Sequence, residues 1–180
     1  IPEMIRALPR RPVVSAFTAT ATAQVREDIV RLLELQAPFV LTTGFDRPNL
    51  YFEVRKPASK PEALREILRV HENQSAIIYC ATRKTVEEVC EALCREGISA
   101  TRYHAGLTDG ERRENQDDFL CDRKLVMVAT NAFGMGIDKS NVSLVVHYNM
   151  PKNLESYYQE AGRAGRDGTA ADCILLYGGQ

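Results

Sequence analysis

The sequence predicts an α/β fold in which a doubly wound, mostly parallel sheet has helices on both faces. Short apolar runs rich in Val and Ile alternate with longer segments whose apolar residues recur at helical spacing. Parallel strands need crossovers of this length, and strands buried on both faces are continuously apolar, as these are. No internal repeat or low-complexity tract interrupts the pattern.

The first elements lie ahead of a turn-rich stretch. Residues 12–17 are a predicted strand and residues 39–42 are predicted to be extended, and Val25 and Ile29 mark one face of a helix between them. Residues 44–49 combine Gly, Asp, Pro and Asn, which predicts a hinge or domain boundary. We therefore expect the chain to divide there.

A regular alternation follows this hinge. Strands are predicted at residues 76–80, 99–103, 126–130, 144–148 and 173–177. Helices are predicted from Pro61, from about residue 83 to a stop at Gly97, from Thr108 to Leu120, and over residues 153–166. Thr108 and Glu111 have the spacing of a capping box.

Composition limits the classes of partner and the cellular location that we expect for this protein. The 180 residues carry a net charge of −1, which argues against a broadly basic nucleic-acid-binding domain but leaves room for a local basic groove. No apolar run could span a bilayer and no signal peptide is recognisable, so we expect an intracellular protein without a membrane partner. Because Ile1 is not a natural start, we expect a piece excised from a longer chain.

The cysteines do not predict a metal site or disulfides. There are five of them and no C-x-x-C pair. Cys90 and Cys94 are one helical turn apart and could grip a metal, but Cys90 belongs to an apolar stripe and no further ligand pair is evident. We therefore expect no metal in this part of the protein.

The segment from Gln159 to Gly168 is the most informative one. If Asn153 caps a helix, then Gln159, Arg163 and Arg166 lie at i, i+4 and i+7 on one face. Guanidinium groups fit phosphate oxygens, so this face predicts a polyphosphate clamp. The alternative is an ordinary helix C-terminus, where Arg suits the dipole and Gly suits the cap.

Polar residues also follow three predicted strands, and because ligands gather at the carboxyl ends of parallel strands we expect a single functional face. Thr82 and Arg83 begin a helix, where free N–H groups favour an anion, although a Thr cap with a solvated Arg is the alternative. Thr130 and Asp138 flank a glycine loop suited to a phosphate and a ribose; Asp138 is alternatively a turn residue. His104 is interpreted as structural.

Taken in order, these segments resemble the motifs of the RecQ family of superfamily-two DNA helicases. The matching strings are SAFTATA (15–21), IIYCATR (77–83), YHAGL (103–107), VATNAFGMGID (128–138) and SYYQEAGRAGRDG (156–168). FDRPN at 45–49 resembles the family's link between two RecA-like domains. RNA helicases usually have His-Arg in place of Gln159-Glu160, whereas Ala81-Thr82 and Thr22 are small departures from the family pattern.

The resemblance implies a RecA-like fold, with residues 1–44 as the tail of a first RecA-like domain and residues 45–180 as the second. It implies that ATP with Mg²⁺ binds between the two domains, and that the first supplies the P-loop, since no G-x-x-x-x-G-K-[ST] occurs here. A zinc module is possible beyond this chain. The isolated chain is expected to be inactive and monomeric.

The resemblance also implies roles for individual residues. Arg166 is the first choice for an arginine finger and Arg163 the second, while Gln159 would couple nucleotide state to domain closure. Asp138 and Gly136 would contact the nucleotide.

A second set would bind nucleic acid. Thr82, Arg83 and Thr130 would touch the backbone of single-stranded DNA in an enzyme that unwinds forked DNA from 3′ to 5′. The protein would be cytoplasmic and nucleoid-associated in a bacterium, or nuclear in a eukaryote. Two alternatives stay open: an RNA helicase or other superfamily-two translocase, and a non-enzymatic scaffold with a helicase fold.

Overall fold

The computed structural model divides into two compact units, Ile1–Asp46 and Arg47–Gln180. It describes residues 1–18, 22–42, 46–134 and 137–178. The first unit contains the helices α1 (Pro2–Ala7) and α2 (Ala23–Leu32). Helix α2 begins after Thr22, whose side-chain oxygen accepts a hydrogen bond from the N–H of Val25.

The strand predicted at residues 12–17 is wrong. Neither residues 12–17 nor residues 39–42 form a strand. A strand needs a neighbouring strand to accept and donate its backbone hydrogen bonds, and the described part of this unit contains none. The side chains are correspondingly open to solvent, with Val13 96% and Phe17 95% exposed.

The second unit is a six-stranded sheet with the strand order β1-β6-β5-β2-β4-β3. Each pair of neighbouring strands is parallel, which confirms the predicted fold class. The strands are β1 (Leu50–Arg55), β2 (Ser75–Tyr79), β3 (Ala100–Tyr103), β4 (Val126–Ala129), β5 (Val142–His147) and β6 (Ala171–Leu176). The helices are α3 (Lys60–Val70), α4 (Arg83–Arg95), α5 (Asp109–Leu120) and α6 (Leu154–Ala161).

Strand β1 was not predicted. It pairs with β6 along its whole length, from Leu50 opposite Ala171 to Arg55 opposite Leu176. As an edge strand it is partly exposed, and its Glu53 and Arg55 form an ion pair at 2.7 Å. The charged pair and the turn residues before the strand conceal the apolar pattern from which the other five strands were predicted.

Each face of the sheet has its own apolar core. Because successive strand residues point to opposite faces, Ile77 and Ile78 belong to different cores. Helices α3 and α4 cover one face with residues such as Ile67 and Val86. Helices α5 and α6 cover the other, where Phe119 is fully buried. Because helices cover both faces, the loops that connect strands and helices lie at the two ends of the strands.

Polar caps set most helix boundaries. The predicted capping box of α5 is confirmed: the Thr108 side chain accepts from the N–H of Glu111, and the Glu111 carboxylate accepts from the N–H of Thr108. Asn153 caps α6 as predicted, through a 2.7 Å bond from the N–H of Ser156. Gly97, which follows α4, has a φ of +80° that favours glycine.

Helix α6 is shorter than predicted, because it ends at Ala161 rather than at Arg166. After it, the N–H of Ala164 bonds to the Ala161 carbonyl, which tightens the chain into turns. Gly165 has a φ of +54°, and its N–H bonds to the Val142 carbonyl at 2.8 Å. The predicted i, i+4, i+7 alignment on one helix face is therefore wrong for the two arginines.

Candidate functional site

The predicted site residues fall into two groups: one follows the carboxyl ends of β2 and β4, and the backbone of the other is fastened at the start of β5. Thr82 and Arg83 follow β2, and Thr130 follows β4; we call these three residues the carboxyl-end group. Residues 162–168, which we call the arginine loop, are fastened by the Gly165 N–H to Val142, the first residue of β5. The single functional face predicted at the strand ends stays a prediction: Thr82, Arg83 and Thr130 follow the neighbouring parallel strands β2 and β4.

Arg166 lies in the arginine loop with a partly exposed side chain. Its Nη1 donates to the Ile137 carbonyl at 3.1 Å and to the Asp138 carboxylate at 3.0 Å. The Asp138 side chain is 90% exposed. Ion pairs in such exposed settings contribute only about 0.2–1 kcal/mol, so this pair holds the guanidinium without locking it.

Arg163 is enclosed more tightly than Arg166. Its Nε is buried and has no hydrogen-bond partner among the described residues. A Cβ placed on Gly134, whose φ is +146°, would lie only 2.2 Å from Nη2 of Arg163. The sequence therefore needs glycine at position 134 to seat this guanidinium. Burial raises the pKa of Tyr79, and the positive charge of neighbouring Arg163 opposes the rise.

Three further residues, Gln159, Asp138 and Gly136, were predicted to act at the nucleotide. Gln159 is exposed in the last turn of α6. Asp138 lies beside Arg166, as described above, and lies outside the helices and strands. Gly136 lies outside the described residues.

In the carboxyl-end group, Thr82 is the N-cap of α4. Its hydroxyl oxygen accepts from the Thr85 N–H at 3.1 Å, so the capping alternative is confirmed at the level of local structure. Arg83 is exposed and lies over Gly106, where an added Cβ would be 3.1 Å from Cδ and 3.2 Å from Nη1 of Arg83. Gly106 thus leaves room for the Arg83 side chain.

His104 is a structural residue, as predicted. Its Nε2 lies 2.7 Å from the Glu87 carboxylate, and its Nδ1 accepts the Gly106 N–H at 3.1 Å. With Nδ1 as an acceptor, Nε2 carries the proton that is donated to Glu87. His104 therefore holds the turn containing Gly106 in place below Arg83.

Thr130 is 8% exposed, which is less than expected for a residue that touches a ligand. Its hydroxyl oxygen accepts from the Ala132 N–H at 3.4 Å. An oxygen that accepts this bond still has a proton to donate. At the same end of the strands, the Ala81 N–H donates a hydrogen bond to the Asn149 side-chain oxygen, which joins the loops after β2 and β5.

Two further sets of residues make contacts that the sequence did not predict. Arg47 and Asn49 donate hydrogen bonds to carbonyls of the arginine loop and of Thr169 just after it. His147 is buried at the end of β5 and bonds through Nε2 to Glu160 of α6 at 2.9 Å. Both sets of contacts join residues that are distant in sequence, so no local sequence pattern predicts them. The one sequence signal was His147, a polar residue at the end of an apolar strand.

The buried thiols are not poised for chemistry. Burial raises the pKa values of Cys80, Cys90 and Cys173 to about 12 in each case. At neutral pH these side chains are therefore thiols rather than nucleophilic or metal-binding thiolates. Within residues 1–18, 22–42, 46–134 and 137–178, no group of three or more His, Cys, Asp or Glu side chains could hold a metal ion.

None of the described helices is both long enough and apolar enough to pass through a bilayer.

Comparison with known proteins places this geometry in a family. Residues 59–168 match the family described as "Helicase conserved C-terminal domain". ATP-dependent DNA helicase RecQ of Bacillus subtilis is 49% identical over 177 residues, which cover 98% of this chain and 30% of that protein. A mouse protein, the bifunctional 3′-5′ exonuclease/ATP-dependent helicase WRN, is 46% identical over 95% of this chain and 13% of its own length.

The fold comparison agrees. Saccharomyces cerevisiae Dbp5 bound to RNA and ADP BeF3 superimposes with a TM-score of 0.77 at 27% identity, over 99% of this chain and 48% of that one. The chain thus spans about 30% of the length of the Bacillus subtilis relative. The architecture is that of a helicase RecA-like domain. The chain belongs to the helicase conserved C-terminal domain family, and within it to the RecQ helicases.

Proposed function

We propose that this chain is the part of an ATP-dependent DNA helicase that supplies the arginine finger and a section of the single-strand track. Residues 45–180 would be the second RecA-like domain and residues 1–44 the tail of the first. Another part of the protein would supply the P-loop and the Mg²⁺ contacts. The protein would move 3′ to 5′ on single-stranded and forked DNA, in the nucleoid-associated cytoplasm of a bacterium or the nucleus of a eukaryote, and the isolated chain would be a monomer.

The observation that carries this proposal is the state of Arg166. Its guanidinium is partly exposed, and among the described residues it is held by a carbonyl and by the highly exposed Asp138. The charge developing on a transferred phosphoryl group would compete well with such a weak pair. A finger of this kind accelerates phosphoryl transfer by about 10³- to 10⁵-fold in other nucleotide hydrolases.

The neighbouring residues have supporting roles in this proposal. Arg163, with its buried and unpartnered Nε, would complete its hydrogen bonds when a phosphate approaches. Asp138, once released by Arg166, would bond a ribose hydroxyl, and Gly136 would contact the nucleotide. Gln159 would relay the nucleotide state to the other RecA-like domain.

The carboxyl-end group would form the track. Arg83 is exposed and can bind a phosphate, and free N–H groups at the start of α4 favour an anion there. Thr82 and Thr130 would add hydroxyl contacts at the ends of β2 and β4. Such backbone contacts do not depend on base sequence and weaken as the salt concentration rises.

The test is ATP hydrolysis by the full-length protein with single-stranded DNA or RNA, beside its Arg166→Ala and Arg55→Ala variants. We expect DNA-selective stimulation and a loss of kcat of about 10³-fold or more in Arg166→Ala. Arg55→Ala, which removes only a surface ion pair with Glu53, should leave kcat unchanged. An unchanged kcat in Arg166→Ala would refute the finger assignment.

The isolated chain provides a second arm of the same experiment. Because it would hold only one side of the nucleotide site, it should release no phosphate above a buffer blank. Turnover by the purified chain would contradict the division of the site between two domains.

One observation favours a second candidate, an RNA helicase. The structural relative Dbp5 is described as bound to RNA. Equal or RNA-selective stimulation in the same assay would support that candidate instead. DNA is preferred as the substrate because the chain has Gln159-Glu160 where RNA helicases usually have His-Arg.

A further inference from the structure

The arginine loop is held by side chains from a distant part of the second unit. Arg47 donates through Nη2 to the carbonyls of Ala164 at 3.0 Å and Gly165 at 2.8 Å. Asn49 donates through Nδ2 to the carbonyls of Gly165 at 2.9 Å and Thr169 at 2.8 Å. These four bonds, which we call the clasp, bind backbone oxygens on both sides of Arg166.

The loop and the clasp are shaped to each other. Gly165 has a φ of +54°, and a Cβ at this position would lie 2.5 Å from Nδ2 of Asn49 and 2.7 Å from the Thr169 carbonyl. The Asn49 carbonyl also accepts the Ala171 N–H at 2.9 Å, which anchors the clasp to the first residue of β6. The contact is therefore a packed one and not a chance meeting of two surface loops.

The donors of Arg47 identify its role. Its Nη2 is directed at two backbone carbonyls, and its Nε lies 3.4 Å from the Asn49 side-chain oxygen. Charge-assisted bonds of this kind are stronger than neutral ones. A guanidinium used in this way positions the backbone, whereas the partly exposed Arg166 has a side chain that can turn toward a ligand.

We propose that Arg47 and Asn49 are positioning residues that fix the arginine loop and so place Arg166 for phosphoryl transfer. This inference rests on the proposed function of Arg166. A displacement of about 1 Å at a reacting centre can cost about 10²-fold in rate, so the loss of the clasp should be visible in kcat. Arg47 is also the first residue of the second unit.

The first test is a double-mutant cycle in the full-length protein, with ATP hydrolysis measured on single-stranded DNA. Asn49→Ala and Arg47→Ala should each lower kcat about 10²-fold while changing the KM for ATP much less. In the Arg166→Ala background the same changes should have little further effect, because the group that they position is gone. Full additivity, or a normal kcat in both single variants, would overturn the inference.

Two further variants keep the test sharp. Arg47→Lys retains the charge but lacks the fork, so it should restore only part of the loss; full activity would show that the fork is unnecessary. Arg55→Ala is the control, because it removes an arginine from β1, the strand that directly follows Asn49. It should have the kcat and the melting temperature of the parent. If Arg47→Ala fails to fold, Arg47→Lys and Asn49→Ala carry the cycle.

Amide hydrogen exchange tests the clasp without reference to catalysis. In Asn49→Ala the N–H groups of Gly165 and Gly168 should exchange about tenfold faster, while those of α4 stay protected. Unchanged exchange in the loop would refute the clasp even if Arg166 is the finger. Faster exchange together with an unaffected Arg166→Ala variant would instead refute the proposed function and leave the clasp standing.

Discussion

The carboxyl-end group and the arginine loop are stabilised over very different distances along the chain. Thr82 is held by Thr85, three residues away, and Thr130 by Ala132, two residues away. The arginine loop depends on Arg47, which is 118 residues from Gly165, and Arg166 depends on Ile137, 29 residues before it. The first group is thus a product of local capping, and the second is a product of the completed fold.

This difference suggests how each group responds to change. A local cap forms whenever its helix forms, so the track residues should tolerate perturbation elsewhere in the domain. The arginine loop can take its position only after β1, β5 and β6 are paired, because its anchors lie at the starts of those strands. ATP hydrolysis would then depend on the pairing of the whole sheet. DNA binding by the carboxyl-end group would depend only on α4 and its neighbours.

The largest effect is expected from Gly165→Ala. Its left-handed φ alone costs an alanine about 1–2 kcal/mol, and the contacts with Asn49 and Thr169 should raise the loss of stability to about 3 kcal/mol or more. ATP hydrolysis should fall with it, since the clasp would be displaced. Urea unfolding of the purified chain measures the first effect, and turnover by the full-length protein the second.

Gly168→Ala is the matched control for that prediction. Its φ is +86°, but nothing lies within 4 Å of a Cβ added there. It should therefore lose only the conformational component of about 1–2 kcal/mol and keep most of the activity. Equal losses of stability in the two variants would show that the arginine loop is not packed against Asn49, and the contrast between the two groups would fail.

The same distinction between local and distant contacts decides what could be predicted from sequence. Five of the six strands of the sheet and the caps at Thr108 and Asn153 follow from apolar runs and from the cap residues beside them. The early end of α6 had one sequence signal, the glycines at positions 162 and 165, which are unfavourable within a helix. It depends on the bond from Gly165 to Val142, a partner that only the folded sheet supplies.

The separation of the site into two groups was hidden for a related reason. Thr130 and Asp138 are eight residues apart in sequence, but Thr130 follows the end of β4 whereas Asp138 precedes the start of β5. No spacing rule states how far such a loop travels. The clasp was equally hidden, because Arg47 and Asn49 belong to a segment whose turn residues indicate only a hinge.

A smaller effect is expected at the carboxyl-end group from Gly106→Ala. The added methyl group would lie 3.1 to 3.2 Å from atoms of Arg83 and 3.1 Å from Nδ1 of His104, so Arg83 should be displaced. If Arg83 binds a phosphate, affinity for single-stranded DNA should fall for all sequences, and the salt dependence should decrease by about one phosphate contact. Fluorescence anisotropy of the full-length protein at several salt concentrations measures both quantities.

Gly110→Ala separates that effect from any general consequence of replacing glycine. Gly110 lies in the first turn of α5, with nothing within 4 Å of an added Cβ, so the change should preserve DNA affinity. It should stabilise the chain by up to about 0.5–1 kcal/mol, because glycine is unfavourable within a helix. A Gly106→Ala variant with the affinity and salt slope of Gly110→Ala would remove Arg83 from the track.

The smallest effect is expected from Thr82→Ala, which tests whether the local group combines structure with function. Loss of the cap of α4 should lower the free energy of unfolding by about 1 kcal/mol, measured by urea unfolding. Thr82→Ser retains the capping oxygen and should recover most of that stability. If Thr82 also bonds a phosphate, Thr82→Ala should weaken DNA binding in a folded protein while Thr82→Ser binds normally. A stability loss with unaltered DNA affinity would reduce Thr82 to a cap and leave Arg83 to hold the strand at the start of α4.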